Sequence, residues 1–246
     1  MPRYFIEVSY KGTAYSGFQV QKNANSIQAE VEKALSVFFK QTFSLTGSSR
    51  TDAGVHAMQN FFHFDLGEPL PENDRFLYNL NAILPLDIVI KRIFKVEEQA
   101  HSRFDAVSRE YRYYITNQKD PFLQGRAFYY PYPLDLGKLN DAAEIFKVTS
   151  DFTSFSKKNT QVKNFICDIK KSRWLQEKDQ LVYNVEANRF LRGMVKGMVG
   201  TMLRVGTGKL PLEGLQNIIL SKDCRKADFS VPSHALFLIK VAYAGF

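Results

Sequence analysis

Cysteine is scarce in this chain: Cys167 and Cys224 are the only two in 246 residues, far apart and in no C-x-x-C spacing. Such usage signals neither a disulfide framework nor a zinc site, and both side chains read as reduced, packed thiols. The four histidines, His56, His63, His101 and His234, show no metal-ligand spacing, and there is no Ser-centred nucleophile elbow. No metal site is expected. No apolar run reaches the ~18–20 residues that a bilayer-spanning helix needs, which sets membrane readings aside. The opening Met1-Pro2-Arg3-Tyr4-Phe5-Ile6-Glu7 goes straight into strand-like alternation. It lacks the apolar stretch and small-residue cleavage site of a secretory signal, so a cytoplasmic protein is expected. Gly206-Thr207-Gly208-Lys209-Leu210 imitates the end of a phosphate-binding loop. Leu203 stands where the earlier glycine is required and Leu210 where a Ser or Thr is, so ATP binding is not supported.

What is abundant is positive charge and aromatic surface. The 33 Lys and Arg outnumber the 25 Asp and Glu, for a net charge of +8 that favours a polyanionic partner, because cations that neutralise phosphates release condensed counterions. Aromatic residues make up 14% of the chain, with 21 Phe and 12 Tyr. Most belong to the core by default, and a few are free to stack bases. Hydrophobic residues at 45% suffice for one large domain or two modest ones without covalent staples.

Hydrophobic periodicity organises the chain into two similar passes. Tyr4, Ile6, Val8 and Tyr10 alternate as a strand, and Ile27, Val31, Ala34, Leu35 and Phe38 repeat as one helix face, capped by Asn25 or Ser26. Strands are expected at Thr42–Thr46 and Met58–Phe64, then a helix from about Asp74 to Leu84 stopped by Pro85, then a strand at Ile88–Val96. The second pass has a strand at Glu110–Thr116, a helix at Leu136–Phe146, strands at Phe165–Trp174 and Leu181–Ala187, and a long helix at Phe190–Val205. A shorter helix opened by Pro211 and a strand at Leu236–Tyr243 close it. The doubled β-α-β-β-α-β order implies an α+β protein of two ferredoxin-like halves, residues 1–100 and 101–246. These would share a continuous mixed sheet, with helices on one side and a central active-site cleft.

Three stretches stand out chemically. Gly47-Ser48-Ser49-Arg50-Thr51-Asp52-Ala53-Gly54-Val55-His56-Ala57 is short, small and polar between two strands. It reads as a shaped loop offering a guanidinium and a carboxylate two residues apart; taken in isolation, the favoured reading is a turn in which Asp52 bonds local amides. In Arg109-Glu110-Tyr111-Arg112-Tyr113-Tyr114-Ile115, strand alternation puts Tyr111 and Tyr113 on one face, as core or as a platform for a base. Arg189, Arg192 and Lys196 lie at i, i+3 and i+7, a stripe beside the apolar face of the expected helix. Gly193, Gly197 and Gly200 make sense there if another backbone packs closely against that helix. Lys157, Lys158, Lys163, Lys170, Lys171 and Arg173 add positive charge to the second half.

The string R-T-D-A-G-V-H-A at Arg50–Ala57 closely resembles the signature of the TruA family of tRNA pseudouridine synthases. Further pieces agree in order: Tyr10-Lys11-Gly12-Thr13-Ala14-Tyr15-Ser16-Gly17-Phe18-Gln19, Ser26-Ile27-Gln28 with Glu32 and Leu35, and Asn79 to Pro85. Arg103-Phe104-Asp105-Ala106, Asp151 to Phe155, and Met194-Val195-Lys196 with Val199-Gly200 continue the match. The resemblance covers nearly the whole chain. It implies Asp52 as catalytic nucleophile and Lys196 as its basic partner, with Arg50 helping to extrude the target nucleotide and Tyr111 beneath the uracil. It also implies a homodimer acting on uridines 38, 39 and 40 of the tRNA anticodon stem-loop. Lys196 stands where the family usually has Arg, Phe18 where it has Trp, and Lys163-Asn164-Phe165-Ile166 departs from the usual stretch.

The chemistry is coherent with those residue types. Isomerising uridine to pseudouridine breaks the N1–C1′ bond and joins C5 to C1′ with no redox change and no group donor, so no cofactor is expected. It needs an ionised carboxylate, a cation that favours the charged form, and a flat ring for a base taken out of its stack. A noncatalytic RNA-binding protein would explain the charge and aromatics but leaves the Asp52 loop without a reason. A metal-dependent RNA hydrolase using Asp52, His56 and His63 lacks a ligand cluster.

Overall fold

The computed structural model describes residues 1–71, 75–158 and 162–245. The chain forms two compact units, Met1–Val107 with Leu238–Phe246, and Ser108–Phe237. The protein is of the α+β class: nine strands and five α-helices are assigned among the described residues. None of those helices is long and apolar enough to cross a membrane.

In the first unit the elements run β1 (Arg3–Tyr10), α1 (Ile27–Phe39), β2 (Thr46–Gly47), β3 (His56–Asp65), α2 (Arg75–Ile83) and β4 (Ile88–Val96). The sheet order is β4-β1-β3 with β2 on β3, antiparallel throughout, the arrangement of a ferredoxin-like βαββαβ unit. Tyr4 lies opposite Phe64 and Ile6 opposite Phe62, and the register slips between Val8 and Tyr10, just before the Asp52 loop joins β3. Such bulges re-aim a strand end. Burial in β1 extends to Phe5 and Glu7, between the alternating positions. Phe5 meets Phe61 and Tyr243, and Glu7 pairs with Arg92 at 2.6 Å, so residues that alternation alone would leave to solvent are covered.

Helix α1 starts where expected. Ser26 Oγ accepts the Ala29 N–H at 3.3 Å, a cap of about 1 kcal/mol, and Ile27, Val31, Ala34 and Leu35 are buried. The strand expected over Thr42–Thr46 shortens to Thr46–Gly47, because Phe43 and Leu45 turn into the core from irregular chain. The start proposed for the next helix, Asp74, lies outside the described residues.

The second unit contains β5 (Ala106–Thr116), β6 (Phe128–Tyr129), α3 (Leu136–Val148), β7 (Ile169–Glu177), β8 (Gln180–Ala187), α4 (Met194–Gly206) and α5 (Leu212–Leu220). Its sheet runs β5-β8-β7 antiparallel, with β6 added in parallel at the end of β5. Trp174, Tyr183, Phe146, Phe152 and Phe155 fill the core, and the Trp174 indole N–H donates to Met202 Sδ at 3.3 Å. The last strand, β9 (Leu236–Tyr243), has the expected bounds and runs beside β3, where Gln59 Oε1 accepts the Val241 N–H at 3.1 Å.

One helix differs from its expected span. Gly193 sits at φ 72°, a left-handed conformation that ends any helical path from Phe190, so α4 begins at Met194. Arg189 and Arg192 therefore precede the helix and form no helical stripe with Lys196. The expectation from Gly200 holds: a Cβ there would lie 2.2 Å from the Asp228 carbonyl oxygen.

Candidate active site

The loop between β2 and β3 is held almost entirely by groups other than its carboxylate. Tyr10, buried on β1, joins its hydroxyl to Thr51 Oγ1 at 2.7 Å, and Asn60 Nδ2 donates both to that hydroxyl (3.1 Å) and to the Ser49 carbonyl (2.9 Å). Burial pushes the Tyr10 phenol well above its ordinary range, so it acts here as a hydrogen-bonding peg. Ser48 N–H donates to Phe61 O, and Phe18 N–H donates to Thr51 O at 3.1 Å. The preceding segment must come close. A Cβ at Gly12 would lie 2.0 Å from Val55 O, and one at Gly17 3.2 Å from Thr51 O, while Gly12 N–H donates to His56 Nδ1 at 3.0 Å.

Within this frame Asp52 forms a turn through its backbone. Its carbonyl accepts the Val55 N–H at 3.1 Å, with Gly54 at φ 79°. That positive φ is what glycine supplies in such a turn. The half-buried Asp52 carboxylate itself makes no hydrogen bond or ion pair among the described residues, and neither does the exposed Arg50 guanidinium. The alternative in which Asp52 ties down local amides with its side chain is therefore not what the loop does. A carboxylate left uncommitted inside a fully braced loop is available to a substrate. His56 and His63 are committed elsewhere, His56 to Gly12 N–H and His63 Nδ1 to Ser102 (Oγ at 2.8 Å).

The other two expected residues lie in the second unit. Tyr111, on β5 opposite Val185, is 8% exposed, with Phe190 edge-on to its ring at 5.1 Å. Tyr113, two residues on, is wholly buried and donates to the Pro232 carbonyl at 2.8 Å, which marks it as structural. Lys196 is half-buried on α4, a helix otherwise almost entirely buried, and its Nζ lies 3.2 Å from Ser233 Oγ. Sequence reasoning missed Asn60, which reads as an ordinary strand position. Tyr10, Gly12 and Gly17 were visible only as letters in the opening stretch, without their role as props of the loop.

Known proteins resemble this chain over nearly its whole length. The family model described as tRNA pseudouridine synthase matches residues 6–105 and 142–244, and so takes in the Asp52 loop and Lys196. A "tRNA pseudouridine synthase A" of Porphyromonas gingivalis is 46% identical, with 99% of this chain and 98% of that protein covered. One of Parabacteroides distasonis is 44% identical (99% and 96% covered), and one of Staphylococcus aureus 35% identical (97% and 91% covered). With matches of that identity running the length of the sequence, the chain belongs to the tRNA pseudouridine synthase family.

Proposed function

We propose that this isomerase converts uridine to pseudouridine at positions 38, 39 and 40 of the tRNA anticodon stem-loop, with Asp52 as the nucleophile. The observation that carries the reading is the Asp52 carboxylate itself, unpartnered among the described residues at the centre of a loop braced by Tyr10, Thr51 and Asn60. The names of the relatives supply tRNA as the substrate class. In this reading residues 1–100 contribute the nucleophile and residues 101–246 the base-holding ring and the basic helix.

The target uridine leaves its stack, at a cost of about a few kcal/mol. Arg50, exposed and uncommitted among the described residues, takes the place of lost contacts and engages the backbone phosphate. Tyr111 offers its ring to the uracil, and Lys196 serves as the basic partner of Asp52 in the bound complex. The carboxylate then attacks the base or the sugar and the N1–C1′ bond breaks; the uracil turns, C5 joins C1′, the bond to Asp52 breaks to restore the free carboxylate, N1 takes up a proton and the C5 proton is lost to solvent. Electrons balance without donor or acceptor. The enzyme acts as a cytoplasmic homodimer on one tRNA.

The test is release of tritium from tRNA labelled at C5 of its uridines, without added metal or nucleotide, followed by mapping of the modified positions. Release confined to positions 38–40 is expected. Tight binding with no release would favour a noncatalytic RNA-binding role, and release from other positions would sink the anticodon assignment.

A further inference from the structure

Beside the Asp52 loop, wholly within the first unit, lies a cavity of ≈ 290 Å³ that none of the roles above uses in full. Its size is just below the ~300–1,000 Å³ of small-ligand sites. The floor is the buried ring of Phe18, stacked on Phe62 at 4.5 Å, and the wall is Thr46–Gly47. Gly47 is needed there, since a Cβ would come within 2.2 Å of the Phe18 ring. The rim carries Arg50, Arg103 and Phe104.

Phe104 is the informative residue. It is 74% exposed, yet it stands on a turn with little freedom. His101 N–H donates to Asp105 Oδ2 at 2.7 Å, Asp105 N–H donates back to His101 O, and the N–H groups of Arg103 and Phe104 both donate to His101 Nδ1. Ser102 between them donates from Oγ to Thr46 O at 2.9 Å, and its carbonyl accepts the Tyr243 hydroxyl. A lone exposed Phe is ordinary. A large ring held in water by a pinned turn, with the His101 ring at 4.2 Å, the Arg103 guanidinium at 5.7 Å and a cavity at its edge, is a stacking platform beside a cation. Arg103-Phe104-Asp105-Ala106 is also a stretch to which the nucleophile, the uracil ring and the basic partner assign no task.

We propose that this cavity binds one unstacked nucleotide flanking the target uridine, its base lying on Phe104 and its phosphate facing Arg50 and Arg103. The proposal rests on the reading of the chain as an enzyme of tRNA. Arg50 then has two duties, displacing the target and holding the neighbour that moves with it. Base–aromatic stacking is worth ~1–3 kcal/mol, which corresponds to a roughly 5- to 150-fold change in affinity.

The experiment uses the whole protein and an anticodon stem-loop RNA carrying 2-aminopurine at a single position on one or the other side of the target. Wild type, Phe104→Ala, Phe104→Tyr and the control Phe122→Ala, another exposed Phe, are compared for Kd, for 2-aminopurine fluorescence on binding, and for tritium release from labelled tRNA. The expected result is a fluorescence change at one flanking position with wild type, its loss in Phe104→Ala with a 5- to 150-fold weaker Kd and a higher KM at little-changed kcat, and recovery in Phe104→Tyr. Phe122→Ala should behave as wild type. If Phe104→Ala binds and signals like wild type while tritium release is normal, the nucleotide site is refuted and the synthase reading survives. If the Phe104-dependent signal is present but wild type releases no tritium, the site stands and the synthase reading falls. Equal weakening by Phe122→Ala would also overturn the proposal, since it would make the effect one of general surface aromatics.

Discussion

Replacing Asp52 by Asn should abolish turnover while leaving the fold and RNA binding intact, and each part of that expectation follows from separate contacts. The amide keeps the side chain's size but not its charge. The loop loses none of its supports, because these are the Asp52 carbonyl to Val55 N–H, Thr51 O to Phe18 N–H, Tyr10 to Thr51, and Asn60 to Ser49. A half-buried side chain outside any hydrogen bond belongs with the substitutions that change stability by no more than ~0.5 kcal/mol. For a chain of this size that is a Tm shift under about 2 °C. Affinity for tRNA should hold or improve, since a carboxylate contributes only repulsion toward phosphates. Tritium release should fall by roughly 10⁴-fold or more, the order seen when an enzyme loses its nucleophile. Tritium release, Kd and thermal unfolding measured on one preparation separate the possibilities. Substantial residual pseudouridine formation would remove Asp52 from its role, and lost activity with a Tm drop of many degrees would mean that the carboxylate supports the turn after all.

Three further outcomes are expected. Tyr111→Ala should lower kcat/KM by at least the ~5- to 150-fold of lost base stacking, whereas Tyr113→Phe should keep activity and lose only the ~0.5–1.5 kcal/mol of its bond to Pro232 O, read by denaturant unfolding; equal loss of activity would make both rings core. Gly200→Ala should destabilise by about 1–3 kcal/mol despite alanine's better helix propensity, because its Cβ meets the Asp228 carbonyl; an unchanged or raised Tm would show that this contact yields easily. Burial holds the His63 imidazole down at about 4, below its ordinary 6.5, with His101 and Arg3 adding to the effect. The unfolded chain therefore takes up a proton that the native state refuses, so the protein should lose up to about 3 kcal/mol as pH falls from 6.5 to 4 and no more from this group below that. A His63→Gln variant should show a flatter stability profile across that window, and an identical profile would point to other groups.

Much of this was legible in the sequence where periodicity is strong. The bounds of β4 and β9 follow directly from alternation, and of the two candidate caps of α1, Asn25 and Ser26, it is Ser26 that accepts the Ala29 N–H. The failures have local causes. Gly193 falls inside an unbroken helical repeat of apolar residues, but its φ of 72° is a stop that no hydrophobic pattern reveals. The two residues of β6 pair in parallel with the end of β5, a contact between distant segments that leaves no periodic trace. At the site, the R-T-D-A-G-V-H-A string pointed to Asp52 and Arg50, and local turn chemistry explains Gly54. What the string did not carry is the support from Asn60 and Tyr10, since a side chain reaching across strands to a carbonyl is invisible until the register is known.

The return of the final strand to the first unit has a consequence for how the enzyme is made. Strand β3, which leads directly out of the Asp52 loop, has β1 on one side and β9 on the other. Its first neighbour leaves the ribosome before it, but its second arrives only after the whole of residues 108–237 has been synthesised. At ~5–20 residues per second that is a delay of roughly 10 s. During this time the edge of β3 and the Phe61 ring, later covered by Tyr243, face water. A nascent chain stalled in that interval carries the Asp52 loop on an unfinished sheet, and is the form in which chaperones and proteases would meet it.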